Sequence, residues 1–335
     1  MFSIRSLAAL AVIVSLTAAA WAEAPSTVTS EWLTSLLADT SAEAETATEA
    51  ETADAGDGLP IPFHTIGGYG GAAFTPIAYL VNPGPAGTVV GKPAASATFV
   101  RLGSKDLQSV AVTQTFFRRI ELGYAANRLG LGSLDNDIRK LAGVDINRSE
   151  VYLHHFNIRG LLIEENSFDL PLPALTAGVH FKYNDTIEKI YDRLGGILSG
   201  LGYEKSNGVD YTLTASKMFP ELAFGRPIVI TGGGRFSNAA QMGYLGFGDE
   251  YKLTFEGNVA YLPTDWLVLV YEYRQKENPY HKLDKIIGDE DGWHAVSAHW
   301  LVNEHMSVTG AWICAGNIAN SSADGGWALQ VKWEF

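Results

Sequence analysis

The sequence ends in Gly326-Trp-Ala-Leu-Gln-Val-Lys-Trp-Glu-Phe335, and this stretch decides the fold class. Its apolar side chains occupy every second position and are Trp327, Leu329, Val331, Trp333 and Phe335. Successive side chains of a β-strand point to opposite faces of the sheet. The pattern therefore predicts an amphipathic strand, and a soluble protein gains little by ending such a strand on an exposed aromatic residue.

The same alternation recurs upstream and is clearest in Tyr251-Lys-Leu-Thr-Phe-Glu-Gly-Asn-Val-Ala-Tyr261. Strands of soluble proteins average about five or six residues. A tilted strand that crosses a bilayer needs about nine to eleven residues, which is the length of this segment. Tyr251 and Tyr261 stand at the two ends of the apolar face, as the aromatic girdles of membrane barrels do.

Twelve segments show this character, and the connectors between them alternate between short and long. The predicted strands are 96–103, 107–115, 117–125, 151–163, 174–183, 208–217, 226–236, 251–262, 265–275, 293–302, 305–314 and 326–335. An open sheet edge in lipid would leave backbone groups without hydrogen bonds, so the sheet must close. The sequence predicts an all-β fold, namely a transmembrane antiparallel up-and-down β-barrel of about twelve strands with a short loop helix.

The first 22 residues read as a cleaved signal peptide. Arg5 precedes an apolar run from Leu7 to Ala20, and Ala20-Trp21-Ala22 forms a cleavage site of the A-x-A kind. A retained anchor helix is the alternative, but the apolar run is short for a bilayer crossing. Export together with the predicted barrel indicates the bacterial outer membrane.

Residues 23–57 form an acidic low-complexity segment with nine acidic residues and no Lys or Arg. Such a composition cannot bury enough apolar surface to fold alone, so we expect a periplasmic tail that is available to a partner. Residues 58–95 are rich in glycine and predict a plug or an extra strand, with Phe74–Val81 as the ambiguous part. The barrel is assigned to residues 96–335.

Bulk properties exclude several classes of protein. The mean hydropathy of +0.04 is too low for a bundle of membrane helices but suits strands with one apolar face. The net charge of −13 makes nucleic acid an improbable partner, because its backbone repels acidic proteins. Cys314 is the one cysteine and cannot form an internal disulfide.

Charged side chains on the polar faces of these strands predict the lining of the lumen. The candidates are Arg119, Glu121, His180, Lys182, Arg235, Lys252, Glu256, Glu272, Arg274, His299, Lys332 and Glu334. In a water-filled pore they would set ion and solute selectivity. The favoured function is a narrow channel for small hydrophilic solutes, and the alternative is a non-conducting structural or assembly barrel whose lumen is filled.

A loop helix and a Ser–His pair add to the strand pattern. Ile187, Ile190, Tyr191, Leu194 and Leu198 recur at helical spacing after Asn184 and Asp185, and this loop helix could enter the lumen or lie across the rim. Ser297 and His299 share one face, which leaves a barrel lipid hydrolase as a weaker alternative. No catalytic residue, metal site or cofactor is predicted.

The terminal strand and several internal segments also resemble known families. Outer-membrane barrels typically end in an amphipathic strand with a terminal Phe that the barrel-assembly machinery reads, and Gly326–Phe335 is similar to that signal. Five internal segments are His64–Ala78, Glu121–Tyr124, Asp210–Met218, Leu245–Gly248 and Tyr271–Lys276. Together they resemble a bacterial outer-membrane family known as domain of unknown function 3034, and the similarity covers residues 64–335. The resemblance implies an exported barrel without implying an activity. Outer-membrane lipid and lipopolysaccharide are the expected partners of the outer face of the predicted barrel.

Overall fold

The computed structural model describes residues 63–132, 148–194, 202–276, 292–318 and 325–335, with the isolated positions 139, 199, 321 and 322. The strands are β1 (Phe63–His64), β2 (Gly70–Gly71), β3 (Ala94–Leu102), β4 (Lys105–Phe116), β5 (Ile120–Gly130), β6 (Glu150–Ile163), β7 (Ala174–Asn184), β8 (Tyr203–Lys205), β9 (Asn207–Ala223), β10 (Arg226–Ala239), β11 (Phe247–Thr264), β12 (Leu267–Arg274), β13 (Trp293–Leu301), β14 (Met306–Cys314), β15 (Asn317–Ile318), β16 (Ser321–Ser322) and β17 (Gly326–Glu334). The described residues also include the α-helix α1 (Ile187–Arg193) and 3₁₀ turns at Ser167–Asp169 and Ala240–Gly243.

Twelve long strands form a closed antiparallel barrel. They are β3, β4, β5, β6, β7, β9, β10, β11, β12, β13, β14 and β17. Each pairs with its neighbours along the chain, and β3 pairs with β17 from Leu102↔Gly326 to Ala94↔Glu334. The predicted all-β up-and-down barrel is confirmed, because every backbone edge of the wall now has a partner.

Side chains alternate between lipid-facing and inward positions in this wall, as the period of two requires. In β11, Leu253 and Phe255 are 61% and 64% exposed, whereas Thr254 and Glu256 between them are buried. The five apolar residues of the terminal strand are likewise all more than 40% exposed. An outer face made of Leu, Val and aromatic side chains suits contact with hydrocarbon and not with water.

The two ends of the barrel differ in their connectors. One end, called here the turn end, carries the short turns 117–119, 224–225, 265–266 and 302–305, the ten-residue connector 164–173, and the carboxyl terminus. At the opposite end, called here the loop end, strand ends that follow one another along the chain are farther apart in sequence, as Gly130 and Glu150, Asn184 and Asn207, Arg274 and Trp293, and Cys314 and Gly326 show. The two-residue turn 103–104 is the short exception at the loop end, and Gly103 adopts a left-handed φ of 57° there.

The interior has apolar layers near both ends and a polar band between them. At the loop end, Leu107, Val151, Leu153 and Ile313 belong to a core that also includes residues of the inward-folded loops. At the turn end, Val229, Leu262 and Val268 pack with Phe63. The charged and hydroxyl side chains of the middle of the strands lie between these two cores.

The loop helix enters the loop-end core. Ile187, Ile190 and Leu194 are buried there beside Met242 and Tyr244. The Asn184 side-chain carbonyl accepts the N–H groups of Thr186 and Ile187 at 3.1 and 2.9 Å, which begins the helix as its sequence predicts. Of the two predicted positions, the structure favours the inward one for the described part of the helix, and Leu198 lies outside the described residues. No helix among the described residues is long and apolar enough to span a bilayer.

The predicted signal peptide, residues 1–22, and the acidic segment, residues 23–57, lie outside the described residues.

Candidate functional site in the barrel lumen

Residues 63–81, called here the lumen segment, run inside the barrel and form no strand of its wall. Their side chains are almost all buried, including Phe63, His64, Phe74 and Ile77. Phe74–Val81, for which the sequence left a further strand or a plug open, therefore contacts the inward side chains of the wall. The β1 and β2 pair, with Phe63↔Gly71 and His64↔Gly70, folds this segment back on itself.

The Glu272 carboxylate, on β12, anchors the middle of the lumen segment. It accepts the backbone N–H groups of Ala73, Phe74 and Thr75 at 2.9, 3.1 and 3.0 Å. The Thr75 hydroxyl donates a fourth hydrogen bond at 2.8 Å. Hydrogen bonds to a charged acceptor are stronger than neutral ones, so a buried carboxylate holds three consecutive amides in one tight bend.

A second anchor consists of Glu121 on β5 and Arg159 on β6, which form a fully buried ion pair at 3.1 Å. Glu121 accepts the N–H groups of Gly70 and Val81 at 3.1 and 2.8 Å. Arg159 donates to the carbonyl oxygen of Gly70 at 2.8 Å and to that of Ile77. The pair thus binds donors and acceptors from both halves of the lumen segment.

Neutral side chains of the wall satisfy further backbone groups of the segment. Asn157 donates to the Gly67 carbonyl at 2.7 Å, Asn258 donates to that of Pro76 at 3.1 Å, and Gln330 donates to that of His64 at 3.0 Å. The Ser216 hydroxyl accepts the Ala78 N–H at 2.9 Å. These donors come from strands on all sides of the barrel, so the segment is bound across the whole lumen.

Two glycines allow the segment to lie against the wall. Gly68 has a φ of 77°, and a Cβ placed on it would lie 2.8 Å from the Tyr124 carbonyl oxygen. On the facing strand β5, a Cβ on Gly123 would collide with the Gly68 carbonyl oxygen. The backbones of the lumen segment and β5 are therefore in direct contact at this point. A side chain on either Gly68 or Gly123 would push the two backbones apart.

A chain of alternating charges crosses four strands beside the lumen segment. Asp210 lies 2.6 Å from Lys182 and 3.0 Å from Arg235. Arg235 binds both oxygens of Glu256 at 3.0 and 2.9 Å and donates to the Tyr69 hydroxyl at 3.1 Å. Its members, together with Arg274 next to Glu256, are all buried. This arrangement neutralises charges that would otherwise be costly in a closed interior.

Nine of the twelve predicted lining residues are inward and buried. They are Glu121, His180, Lys182, Arg235, Glu256, Glu272, Arg274, His299 and Lys332. Glu121, Arg235 and Glu272 contact the lumen segment directly. Glu256, Glu272 and Arg274 lie in the polar band, whereas Lys252 lies outside it.

Three predicted lining residues lie at the margins instead. Arg119 stands in the turn 117–119, because β5 begins only at Ile120, and it pairs with Glu164 on the surface at 3.2 Å. Lys252 lies on the inward-facing side of β11 but near the loop end of the barrel, where its side chain is 42% exposed beside Glu250. Glu334 binds Lys332 near the turn end and is partly exposed.

Sequence reasoning missed several residues of the polar band. Arg159 and Asn157 lie within a correctly predicted strand, and Asp210 lies on the polar face of another. The two-residue period of a strand could have identified them, because each lies an even number of positions from another inward-facing residue of its strand. His64 gave no strand signal, and its ring hydrogen-bonds to the hydroxyls of Ser96 and Thr113 at 3.0 and 2.6 Å.

Ser297 and His299 are hydrogen-bonded at 2.8 Å, and the Thr309 hydroxyl contacts the second ring nitrogen at 2.8 Å. The pair faces the lumen and not the lipid, and the Phe63 ring stacks on His299 at 3.8 Å between centroids. A lipid ester would have to displace the lumen segment to reach the Ser297 hydroxyl. Among the described residues, no cluster of three or more His, Cys, Asp or Glu side chains could hold a metal ion.

Tyrosines outside the barrel strands complete the polar contacts. Tyr244, in the connector after β10, accepts a hydrogen bond from Asn127 at 2.9 Å, and burial raises the pKa of its phenol well above the ordinary value. Tyr79 donates to Glu165 at 2.5 Å, and burial followed by this hydrogen bond raises its pKa strongly. Both phenols therefore remain protonated and neutral at physiological pH.

Comparisons with known proteins place this geometry in context. The family described as protein of unknown function (DUF3034) matches residues 62–332. No curated protein matches the chain. Among solved structures, the KdgM porin is 9% identical, covers 72% of this chain and 99% of its own, and gives a TM-score of 0.44.

Two further solved structures resemble the chain. Omp33 of Acinetobacter baumannii is 7% identical, covers 74% of this chain and 99% of its own, and gives a TM-score of 0.39. The outer membrane phospholipase (OMPLA) of Salmonella typhi is 10% identical, covers 76% of this chain and 96% of its own, and gives a TM-score of 0.35. These likenesses concern the fold alone.

Proposed function

The chain belongs to the DUF3034 family, and from its own geometry we propose that it is an outer-membrane channel whose lumen is closed by residues 63–81. The observation that carries this proposal is the way the segment is held. Its backbone is bound by ionisable and amide side chains of the wall, with Glu272 and Glu121 at the two anchors. Each of these hydrogen bonds can be replaced by one to water when the segment leaves, and the strand pairing of the wall does not depend on them.

The location in the outer membrane rests on the exterior of the barrel. A closed wall with exposed Leu, Phe and Trp side chains and a polar interior is stable in lipid and unstable in water. The turn end, which carries the short turns and the carboxyl terminus, would face the periplasm. Outer-membrane lipid and lipopolysaccharide are then the partners of the outer face.

The solutes would be small and hydrophilic. Departure of the lumen segment would expose the charge chain and the hydroxyl groups of Thr176, Thr212 and Thr231, which now face inward. Fixed charges of both signs in a narrow lumen favour small polar molecules over apolar ones. The apolar loop-end core would narrow the path above them.

The test is conductance in planar bilayers. Protein without residues 63–81 is compared with intact protein, and folding of both is checked by heat-modifiable gel mobility. We expect steady conductance from the shortened barrel and closed or briefly open traces from the intact one. A shortened barrel that is folded and does not conduct would overturn the proposal. Liposome swelling in monosaccharides and amino acids then reports the solute class.

A second candidate function is favoured by the same filled lumen. The segment and the charge chain occupy the polar band so fully that the barrel could serve as a non-conducting structural or assembly protein. In that case the lumen segment contributes stability instead of closure. Its removal would then lower the resistance of the barrel to unfolding without creating conductance, and cross-linking from the acidic segment would capture a periplasmic partner.

A further inference from the structure

The wall binds the lumen segment mainly through the backbone of the segment. Glu121 accepts the N–H of Gly70 at 3.1 Å, and Arg159, which faces Glu121 across the β5–β6 pair, donates to the carbonyl oxygen of the same residue at 2.8 Å. Glu121 also accepts the N–H of Val81 at 2.8 Å, and Thr115, opposite it on β4, donates to the Val81 carbonyl oxygen. Neighbouring strands thus offer an acceptor and a donor to one peptide residue.

The same arrangement recurs on the other side of the barrel. Ser216 on β9 accepts the N–H of Ala78 at 2.9 Å, and Thr176 on the adjacent strand β7 donates to the Ala78 carbonyl oxygen. Glu272 accepts the N–H groups of three consecutive residues, 73–75, at 2.9–3.1 Å. Main-chain hydrogen bonds of this kind provide affinity for a peptide whatever its side chains are.

The segment itself is uncharged, and its side chains are mostly small where the two carboxylates bind it. Residues 63–81 contain no Asp, Glu, Lys or Arg. The stretch from the Glu121 anchor to the Glu272 anchor reads Gly-Gly-Ala-Ala-Phe-Thr, residues 70–75. Six residues therefore reach both anchors, and they add no charge of their own to the polar band.

We infer that the polar band is a binding site for the backbone of short, uncharged peptides, and that the lumen segment occupies this site while the channel is closed. The inference rests on the proposed function, because a solute reaches the band only after the segment has left. It names neutral oligopeptides with small side chains as the solute class. A carboxylate only accepts hydrogen bonds and a guanidinium only donates them, and the N–H and C=O of one residue match such a pair. Sugars are the competing class, since their hydroxyl groups both donate and accept.

The experiment measures binding of acetyl-Gly-Gly-Ala-Ala-Phe-Thr-amide, the sequence of residues 70–75, to the full-length Gly123→Ala protein in nanodiscs. The added Cβ collides with the Gly68 carbonyl oxygen, which lies outside the stretch that the peptide represents. Heat-modifiable mobility checks folding, and hydrogen exchange of residues 63–81 reports release of the segment. The ligands for comparison are maltotriose, an uncharged sugar, and the same peptide methylated on the Phe amide nitrogen.

We expect calorimetry to show binding of the peptide and none of maltotriose at the same concentration. The methylated peptide should bind about tenfold more weakly, because it lacks the N–H that Glu272 accepts from Phe74. With the segment released, three results would each overturn the inference and leave the proposed function standing: no binding of the peptide, equal binding of maltotriose, or equal affinity of the methylated peptide. Exchange as slow as in Gly160→Ala protein would instead show that the segment does not leave, which contradicts the proposed function and the inference together.

Substitution of the acceptor provides a second comparison. Glu272→Gln, added to Gly123→Ala, should abolish the preference for the unmethylated peptide. Glu164→Gln in the same background is the matched control, because Glu164 pairs with Arg119 on the surface, and the preference should remain tenfold. A Glu272→Gln protein that keeps the tenfold preference contradicts the inference. Should this variant fail to fold, the comparison of the two peptides on the Gly123→Ala protein still decides.

Discussion

Glu272 shows how one side chain can position a whole segment. Its carboxylate receives four hydrogen bonds from residues 73–75, and no neutral side chain could accept all four. An amide in its place would direct an NH₂ group at backbone donors. The structural role of Glu272 is therefore specific to the carboxylate and not to side-chain size.

Glu272→Gln should lower the free energy of releasing the lumen segment from the wall by about 2 kcal/mol. Hydrogen bonds to charged groups contribute about 1.5–3 kcal/mol each, and some of the four hydrogen bonds will remain in the variant. That free energy corresponds to roughly thirtyfold more of the released state. Hydrogen exchange of residues 70–81, followed by mass spectrometry, should accelerate accordingly. Glu164→Gln is the control, because Glu164 pairs on the surface with Arg119. Exchange that is the same in both variants would refute the anchoring role.

Gly123→Ala tests the close approach of the two backbones. The added Cβ would collide with the Gly68 carbonyl oxygen, so residues 66–70 must move away from β5. We expect faster proteolysis of the lumen segment in folded protein and more frequent channel openings. Gly160→Ala on β6 is the matched control, because nothing lies within 4 Å of a Cβ at that position. Identical proteolysis of both variants would mean that the segment does not lie against β5.

At the scale of elements, the strands could be predicted and the lumen segment could not. Alternation is local, so Tyr251–Tyr261 and Trp327–Phe335 report their strand and its two faces without knowledge of the rest of the chain. Thr75, in contrast, is fixed by Glu272, which lies 197 residues away. The strand ends were also imprecise, because Arg119 belongs to a turn whose geometry depends on the neighbouring hairpin. The burial of Arg159 could not be predicted either, because it depends on Glu121, its partner on another strand.

The charge chain joins β7, β9, β10 and β11. Within it, Asp210 forms ion pairs with both Lys182 and Arg235. Asp210→Asn leaves Lys182 and Arg235 without this carboxylate, and removal of one partner from a buried pair costs about 3–5 kcal/mol. Urea unfolding, monitored by heat-modifiable mobility, should show a lower midpoint. Asp265→Asn removes a carboxylate that is 94% exposed and should leave the midpoint unchanged. An unchanged midpoint for Asp210→Asn would show that the chain adds no stability.

The terminal strand β17 closes the barrel against β3 and exposes Phe335 at its end. We propose that the barrel-assembly machinery reads this strand before closure. Phe335→Ser should lower the fraction of heat-modifiable protein in cells several-fold, because recognition precedes folding. Phe255→Ser, which changes an equally exposed aromatic residue of β11, should assemble normally. Equal assembly of the two variants would argue against a terminal signal.

In the molecule as a whole, twelve strands form a closed wall, and residues 63–81 lie inside it. In the proposed function, this segment separates one end of the lumen from the other. The wall is continuous through the β3–β17 pair, so opening does not require a break in the sheet. In that proposal the segment is the part that moves, because wall side chains hold it by hydrogen bonds and not by strand pairing. Departure of the segment would then open the channel.

The most direct test is to fix the segment in place and record single-channel currents. Asn258 contacts the Thr75 hydroxyl at 2.9 Å, so Thr75→Cys and Asn258→Cys can be joined by a short thiol cross-linker in a Cys314→Ser, Glu272→Gln background. Treatment of protein with Thr75→Cys alone controls for the reagent. We expect channel openings before cross-linking, no openings after it, and their recovery when a cleavable linker is reduced. Currents that persist unchanged in fully cross-linked protein would show that the segment does not close the channel.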